Sequence, residues 1–359
     1  MKAILCSALA LAAWAADDPF DLVVAPPKPG NMRNSEADVL ELRDGRLLLA
    51  WSEFSSAERA SDWVTARIAA RTSSDGGRTW GERFVLQENL GTMNTYSPDL
   101  LRLKSGKVLF FFFRKNSEAD CQPMVRVSTD DARTFSPPRE IPMEPSPSYS
   151  GINNDRAIQL KSGRVLLPVW FTKDYRVSRR IQIRMYYSDD EGGSWKSSPQ
   201  VIDVPASSNG ADEPTIEQRK DRRVLMWIRT KTGHPYQSLS ADGGVTWSAP
   251  EEVALAAPNA PQSLRRIPKT GDLLLVWNNS ASVRTPLTAA ISKDEGKTWQ
   301  HIKNLESDPN HTYAYTSIFP VRDRVLLTYY VGPSAQQQGE EGTVWSLKLR
   351  SFPVKWFYR

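Results

Sequence analysis

Cysteine and histidine are nearly missing from this chain of 359 residues, which has two of the first and three of the second. Cys6 falls within the first sixteen residues, so Cys121 is left without an intramolecular partner. Stability must then come from a core and not from disulfides. His234, His301 and His311 stand too far apart to resemble a helical zinc motif, and no metal or cofactor is expected. Beyond the N-terminus no run of apolar residues is long enough to span a membrane. A Gly-rich phosphate loop and a Ser nucleophile elbow are also absent. The net charge is +5, but the basic residues are scattered, which argues against a nucleic-acid partner.

What is present begins with MKAILCSALALAAWAA, residues 1–16: one Lys, an apolar run, then small residues at Ala13 and Ala15. That pattern predicts a secretory signal peptide and a secreted or periplasmic protein. No linker or low-complexity stretch divides the remainder, so residues 17–359 are expected to form one domain, a monomer, with almost no helix.

Five copies of one phrase follow: SSDGGRTW, STDDARTF, SDDEGGSW, SADGGVTW and SKDEGKTW. They start at Ser73, Ser128, Ser188, Ser240 and Ser292, so they lie 55, 60, 52 and 52 residues apart. Asp can accept hydrogen bonds from backbone N–H groups further along a tight turn, and Gly supplies a positive φ. A calcium loop does not fit, because the alternating Asp/Asn ligands and distal Glu are missing. A period near fifty with β-rich flanks suggests one propeller blade per copy.

A second repeat is a strand, a tight turn and a strongly apolar strand. Its copies are Val39 to Trp51, Leu100 to Phe112, Ala157 to Val169, Thr215 to Trp227, Ser263 to Trp277 and Ser317 to Tyr329. Six hairpins predict an all-β, six-bladed β-propeller of four-stranded antiparallel blades, although only five blades carry the phrase. The spare strands near Leu22 and around residues 343–350 are expected to close the ring and remove a free sheet edge.

The Ser-x-Asp-x-Gly-x-Thr-aromatic phrase resembles the Asp box of sialidase-family propellers, where the boxes lie on the periphery, away from the active site. That resemblance implies a glycoside hydrolase acting on a terminal sialic acid or related anionic sugar, with a Tyr nucleophile. Glu213 in ADEPTIEQ, Arg229 in MWIRT, Arg284 in VRTPLTAAIS and Tyr315 in AYTSIF match the family's Glu, two Arg and Tyr in blade and order. The chemistry suits these types. A sialic acid carries its carboxylate on the anomeric carbon and would repel a carboxylate nucleophile. A neutral Tyr activated by Glu avoids that clash, and Arg binds the carboxylate in bidentate fashion.

The first blade departs from the family, with Ser35-Glu36-Ala37 standing where Arg-Ile-Pro is usual. Arg33, two residues away, is expected to reach the same point from the loop. Asp62 is the candidate acid/base residue with Glu58 its rival, and Glu53 matches an acidic residue at the same strand end. Asp155 and Arg156 read equally as pocket-facing or as a structural pair. Packing alternatives stand beside the others: Tyr315 as a channel-wall aromatic, Arg229 and Arg284 as partners of buried carboxylates, Glu213 as a strand cap. Two other readings remain, a glycosidase or lyase for another acidic sugar and a non-catalytic carbohydrate-binding propeller.

Overall fold

The computed structural model describes residues 18–56, 61–334 and 344–359. The expected signal peptide and Glu58 lie outside the described residues. Each predicted hairpin turns sharply, and its second strand is apolar on both faces. Leu47–Phe54, Val165–Thr172, Val224–Arg229 and Leu273–Asn278 are buried at every position. A strand can be apolar all round only if both faces of its sheet are covered. Sheets stacked about a common axis provide that cover, and the large apolar clusters lie between them.

The sheets are antiparallel meanders. One runs Arg33–Glu41, Leu47–Phe54, Ala66–Ser73 and Phe84–Gln87. Another runs Asp212–Gln218, Val224–Arg229, Tyr236–Ser240 and Glu251–Glu252. A third runs Ser263–Arg266, Leu273–Asn278, Leu287–Ser292 and Gln300–Glu306. The last is closed by the N-terminal strand: Phe20–Ala25 pairs with Ser346–Pro353, which pairs with Arg324–Pro333 and then His311–Val321. First strands of neighbouring sheets lie side by side round the axis.

The expectation of six separate four-stranded sheets needs correction. Among the described residues there are four such sheets and one of nine strands, spanning Asn94–Arg102 to Lys196–Ser197. A single parallel bridge between Tyr149 and Cys121 joins its two halves, backed by the Cys121 N–H donating to the Ser148 carbonyl at 3.0 Å. Short strands such as Tyr149–Gly151 break the regular hairpin there.

The five boxes share one set of bonds, and each links the third strand of its meander to the fourth. In every copy the Ser Oγ donates to the Asp Oδ1 at 2.7–2.9 Å. The Asp Oδ1 accepts the Thr or Ser N–H at 2.8–2.9 Å, and Oδ2 accepts its hydroxyl at 2.5–2.7 Å. The glycine serves a second purpose. Gly244 has a φ of 91°, and a Cβ there would come within 2.8 Å of Leu166, on the second strand of the preceding meander. Gly77, Gly192 and Gly296 approach Leu326, Leu109 and Leu225 in the same way. Each of these boxes docks its own meander onto the one before, including across the ring closure.

Candidate active site

The innermost strands are not regular. Their pairing slips between Ser35 and Ala37, Tyr96 and Asp99, Asp212 and Thr215, and Ala314 and Ser317. Within these slips Glu36, Ser97, Glu213 and Tyr315 take positive φ values of 38°, 60°, 30° and 58°. A bulge re-aims the side chain it carries, and non-Gly residues hold such a backbone only when the surroundings enforce it. All four side chains are turned into one cavity of about 300 Å³ at the axis.

In that cavity the Tyr315 hydroxyl donates to Glu213 Oε1 at 2.9 Å. The other Glu213 oxygen accepts from Arg229 Nη1, and Arg229 Nε donates to Asn259 Oδ1 at 2.8 Å. Arg284 lies with its guanidinium carbon 6.0 Å from the Tyr315 ring centre, and it donates to the Tyr330 hydroxyl at 2.7 Å. Opposite stands Arg33, ion-paired with Asp62 and, at 2.5 Å, with Glu36. Trp63, Tyr96, Phe113, Tyr149, Trp170 and Tyr175 form an aromatic wall on the remaining side.

Burial, and then the charge of Glu213, push the Tyr315 hydroxyl well above its ordinary value, while Arg229 and Arg284 pull it down. Tyr315 is therefore protonated at rest, and attack by its oxygen needs a base. Asp212 is pushed up to about 6 by burial, with Glu213 adding to the rise against Arg229. Asp62 shows the opposite balance. Loss of water inside the ring disfavours its charge, but Arg33 and Lys115 outweigh that and hold its carboxyl below the usual range. Its side chain is 56% exposed, so the cations decide the outcome. Lys115 Nζ also donates to the Asp62 carbonyl at 3.0 Å, fixing the segment from behind. Among the described residues no group of three His, Cys, Asp or Glu is placed to hold a metal ion.

Of the residues expected in the site, the cavity brings together Tyr315, Glu213, Asp62, Arg33, Arg229 and Arg284. Arg33 acts from a strand, Arg33–Glu41, and not from a loop as expected. Three others are elsewhere. Glu53 is spent on ion pairs with Arg67 and Arg83, outside the cavity. Asp155 accepts the Ile318 N–H at 2.7 Å and Arg265 Nε at 2.9 Å, so it ties one inner strand to two more across the axis. Arg156 donates to the Gln262 carbonyl at 3.1 Å and to Ser263 Oγ at 3.2 Å. Both belong to the structural reading: Asp155 satisfies an inner-strand N–H, and the Arg156 guanidinium donates to a neighbouring inner strand. Sequence reasoning missed Glu36, Asp212 and the aromatic wall. Glu36 and Asp212 lie in the same short segments as Arg33 and Glu213, but which side chains face inward there depends on the bulges.

Fold and cavity together define a β-propeller with a mixed arginine and carboxylate site on its axis. The model of a family described as the BNR repeat-like domain matches residues 45–327, and the chain belongs to that family, within the sialidase superfamily. A protein of Micromonospora viridifaciens named a sialidase is 26% identical over 274 residues, 65% of this chain and 40% of that protein. The chain thus spans less than half the length of that relative. Among solved structures, a Dyadobacter fermentans protein described as of unknown function superposes with a TM-score of 0.74 at 19% identity, covering 92% of this chain and 98% of that one. The NanB sialidase of Streptococcus pneumoniae gives 0.73 at 13%, covering 94% and 71%. These likenesses are to the fold.

Proposed function

We propose that the chain is a secreted, retaining exo-glycosidase of sialidase type that removes a terminal sialic acid or a closely related carboxylated sugar. The observation that carries this reading is the Tyr315–Glu213 hydrogen bond of 2.9 Å. Glu213 takes the phenolic proton as the Tyr oxygen bonds to the anomeric carbon, and the bond to the leaving oxygen breaks. Asp62 supplies the proton to that oxygen and later takes one from the water that releases the sugar. In the free site Asp62 is held ionised by Arg33; a substrate carboxylate beside it raises its proton affinity, which suits an acid needed only once substrate is bound.

The arginines nearest Tyr315 support this assignment. Arg229 and Arg284 pull the Tyr315 hydroxyl down, so the negative charge it gains during attack is offset by fixed cations. We read the nine-stranded sheet as two meanders joined by one bridge, giving six blades in a single domain of residues 17–359. In support, the box glycine Gly192 docks on Leu109 across that sheet as other boxes do between separate ones. The deciding experiment is release of dye from a fluorogenic sialoside, run beside fluorogenic glucuronides. Turnover of the sialoside is expected; turnover of neither would reject the reading.

A further inference from the structure

The three cavity arginines differ in what already holds them. Arg229 is paired with Glu213 and lies 3.7 Å from Asp212. Arg284 donates to two neutral oxygens, the Tyr330 hydroxyl at 2.7 Å and the Asn259 carbonyl at 2.9 Å, and makes no ion pair with a carboxylate among the described residues. Arg33 is the most heavily engaged. Its Nη1 is on Asp62, its Nη2 is on Glu36 at 2.5 Å, and its Nε donates to Ser35 Oγ at 2.7 Å. Ser35 Oγ donates in turn to the second Glu36 oxygen at 2.6 Å, which closes a triangle. The guanidinium carbon lies 4.2 Å from the Phe54 ring centre and 4.3 Å from that of Trp345.

Three of the five N–H groups of Arg33 are therefore committed, and two rings pack against its guanidinium. Glu36 itself is 3% exposed, in contact with the cavity. A substrate carboxylate arriving at Arg33 would meet a buried carboxylate already in place, and two like charges at one site oppose each other. At Arg284 no such competitor stands. Four carboxylates, Glu36, Asp62, Asp212 and Glu213, line the cavity against three guanidinium groups, so a second anionic substituent on the sugar has no unbalanced cation to meet.

We propose that Glu36 is a specificity-determining residue: it occupies Arg33 in place of the substrate, so the site accepts sugars with a single carboxylate, anchored at Arg284. This deepens, and rests on, the sialidase-type reading. Glu36 is fixed on the inner strand by the bulge between Ser35 and Ala37.

The test is calorimetric binding of N-acetylneuraminic acid and of its methyl ester to the full chain and to Glu36→Gln and Glu36→Gly. The glycine variant suits a φ of 38° and guards against misfolding of the other. Both variants are expected to bind the acid about tenfold more tightly, with the ester unchanged, because only the acid gains from an Arg33 whose Nη2 is released from Glu36 while Nη1 stays on Asp62. Acid affinity that is unchanged or lower in the folded variants overturns the proposal, as does absence of acid binding to all three proteins. The fluorogenic sialoside assay separates the two readings. Hydrolysis by the unaltered chain without a gain in the variants sinks only the role of Glu36. A gain in binding without hydrolysis sinks only the sialidase reading.

Discussion

Tyr315 and Glu213 share a 2.9 Å hydrogen bond across 102 positions of the chain, and each sits on a bulge with positive φ. Neither strand could present its side chain this way as a regular strand, since the side chain would follow the ordinary alternation between faces. The pair exists because two bulges in separate sheets point at one spot.

Replacing Tyr315 by Phe is expected to lower kcat on a fluorogenic sialoside by on the order of a thousandfold or more, because only the attacking oxygen is removed. Binding of N-acetylneuraminic acid, measured by calorimetry, should be nearly unchanged. Substantial residual kcat would assign the nucleophile elsewhere.

Arg284→Ala should act on binding instead. Loss of the cation without a carboxylate partner is expected to cost about 2–5 kcal/mol of affinity for the acid, and much less for its methyl ester. Equal losses for both forms would show that Arg284 shapes the cavity without meeting the carboxylate.

Asp212 is the group expected to give binding its pH dependence. Burial first, and Glu213 second, push its carboxyl up to about 6. As pH falls from about 7 to about 5 it takes up a proton, the cavity becomes more positive, and acidic-sugar affinity should rise. Asp212→Asn should flatten that rise, which titrating Kd against pH would show directly.

The box carboxylates make a prediction about stability. Hydrogen bonds from the neighbouring Thr or Ser hold Asp130, Asp190 and Asp294 down to about 2, against burial in Asp294, from the ordinary 3.8. A depressed folded value means stability present above pH 3.8 and lost as pH falls towards about 2. Asp242→Ala removes the acceptor of Thr246 N–H and Oγ1 and should cost about 1–2 kcal/mol, seen as a lower Tm with sugar binding retained. Lost binding at an unchanged Tm would contradict a scaffold role.

The repeating parts were legible in the sequence. Ser, Asp, Gly and Thr of each box bond within four residues of one another, and each hairpin pairs neighbours across a tight turn, so both signals are local and legible. The sequence also marked Tyr315, Glu213, Arg229 and Arg284 by their order along the chain. Which side chains meet depends on contacts across the ring. Asp155 and Arg156 read equally as pocket-facing or structural, and they knit the inner strands: Asp155 accepts an inner-strand N–H, and the Arg156 guanidinium donates to the Gln262 carbonyl and Ser263. Glu53 found two arginines on its own sheet. Glu36 lined the cavity because its bulge turned it inward beside Arg33. The parallel bridge from Tyr149 to Cys121 merged two meanders that the repeats had marked as separate. A bulge shifts one residue and reverses which face a side chain takes, and the contacts that enforce it reach across the ring, as from Ser317 to Asp38 over 279 positions.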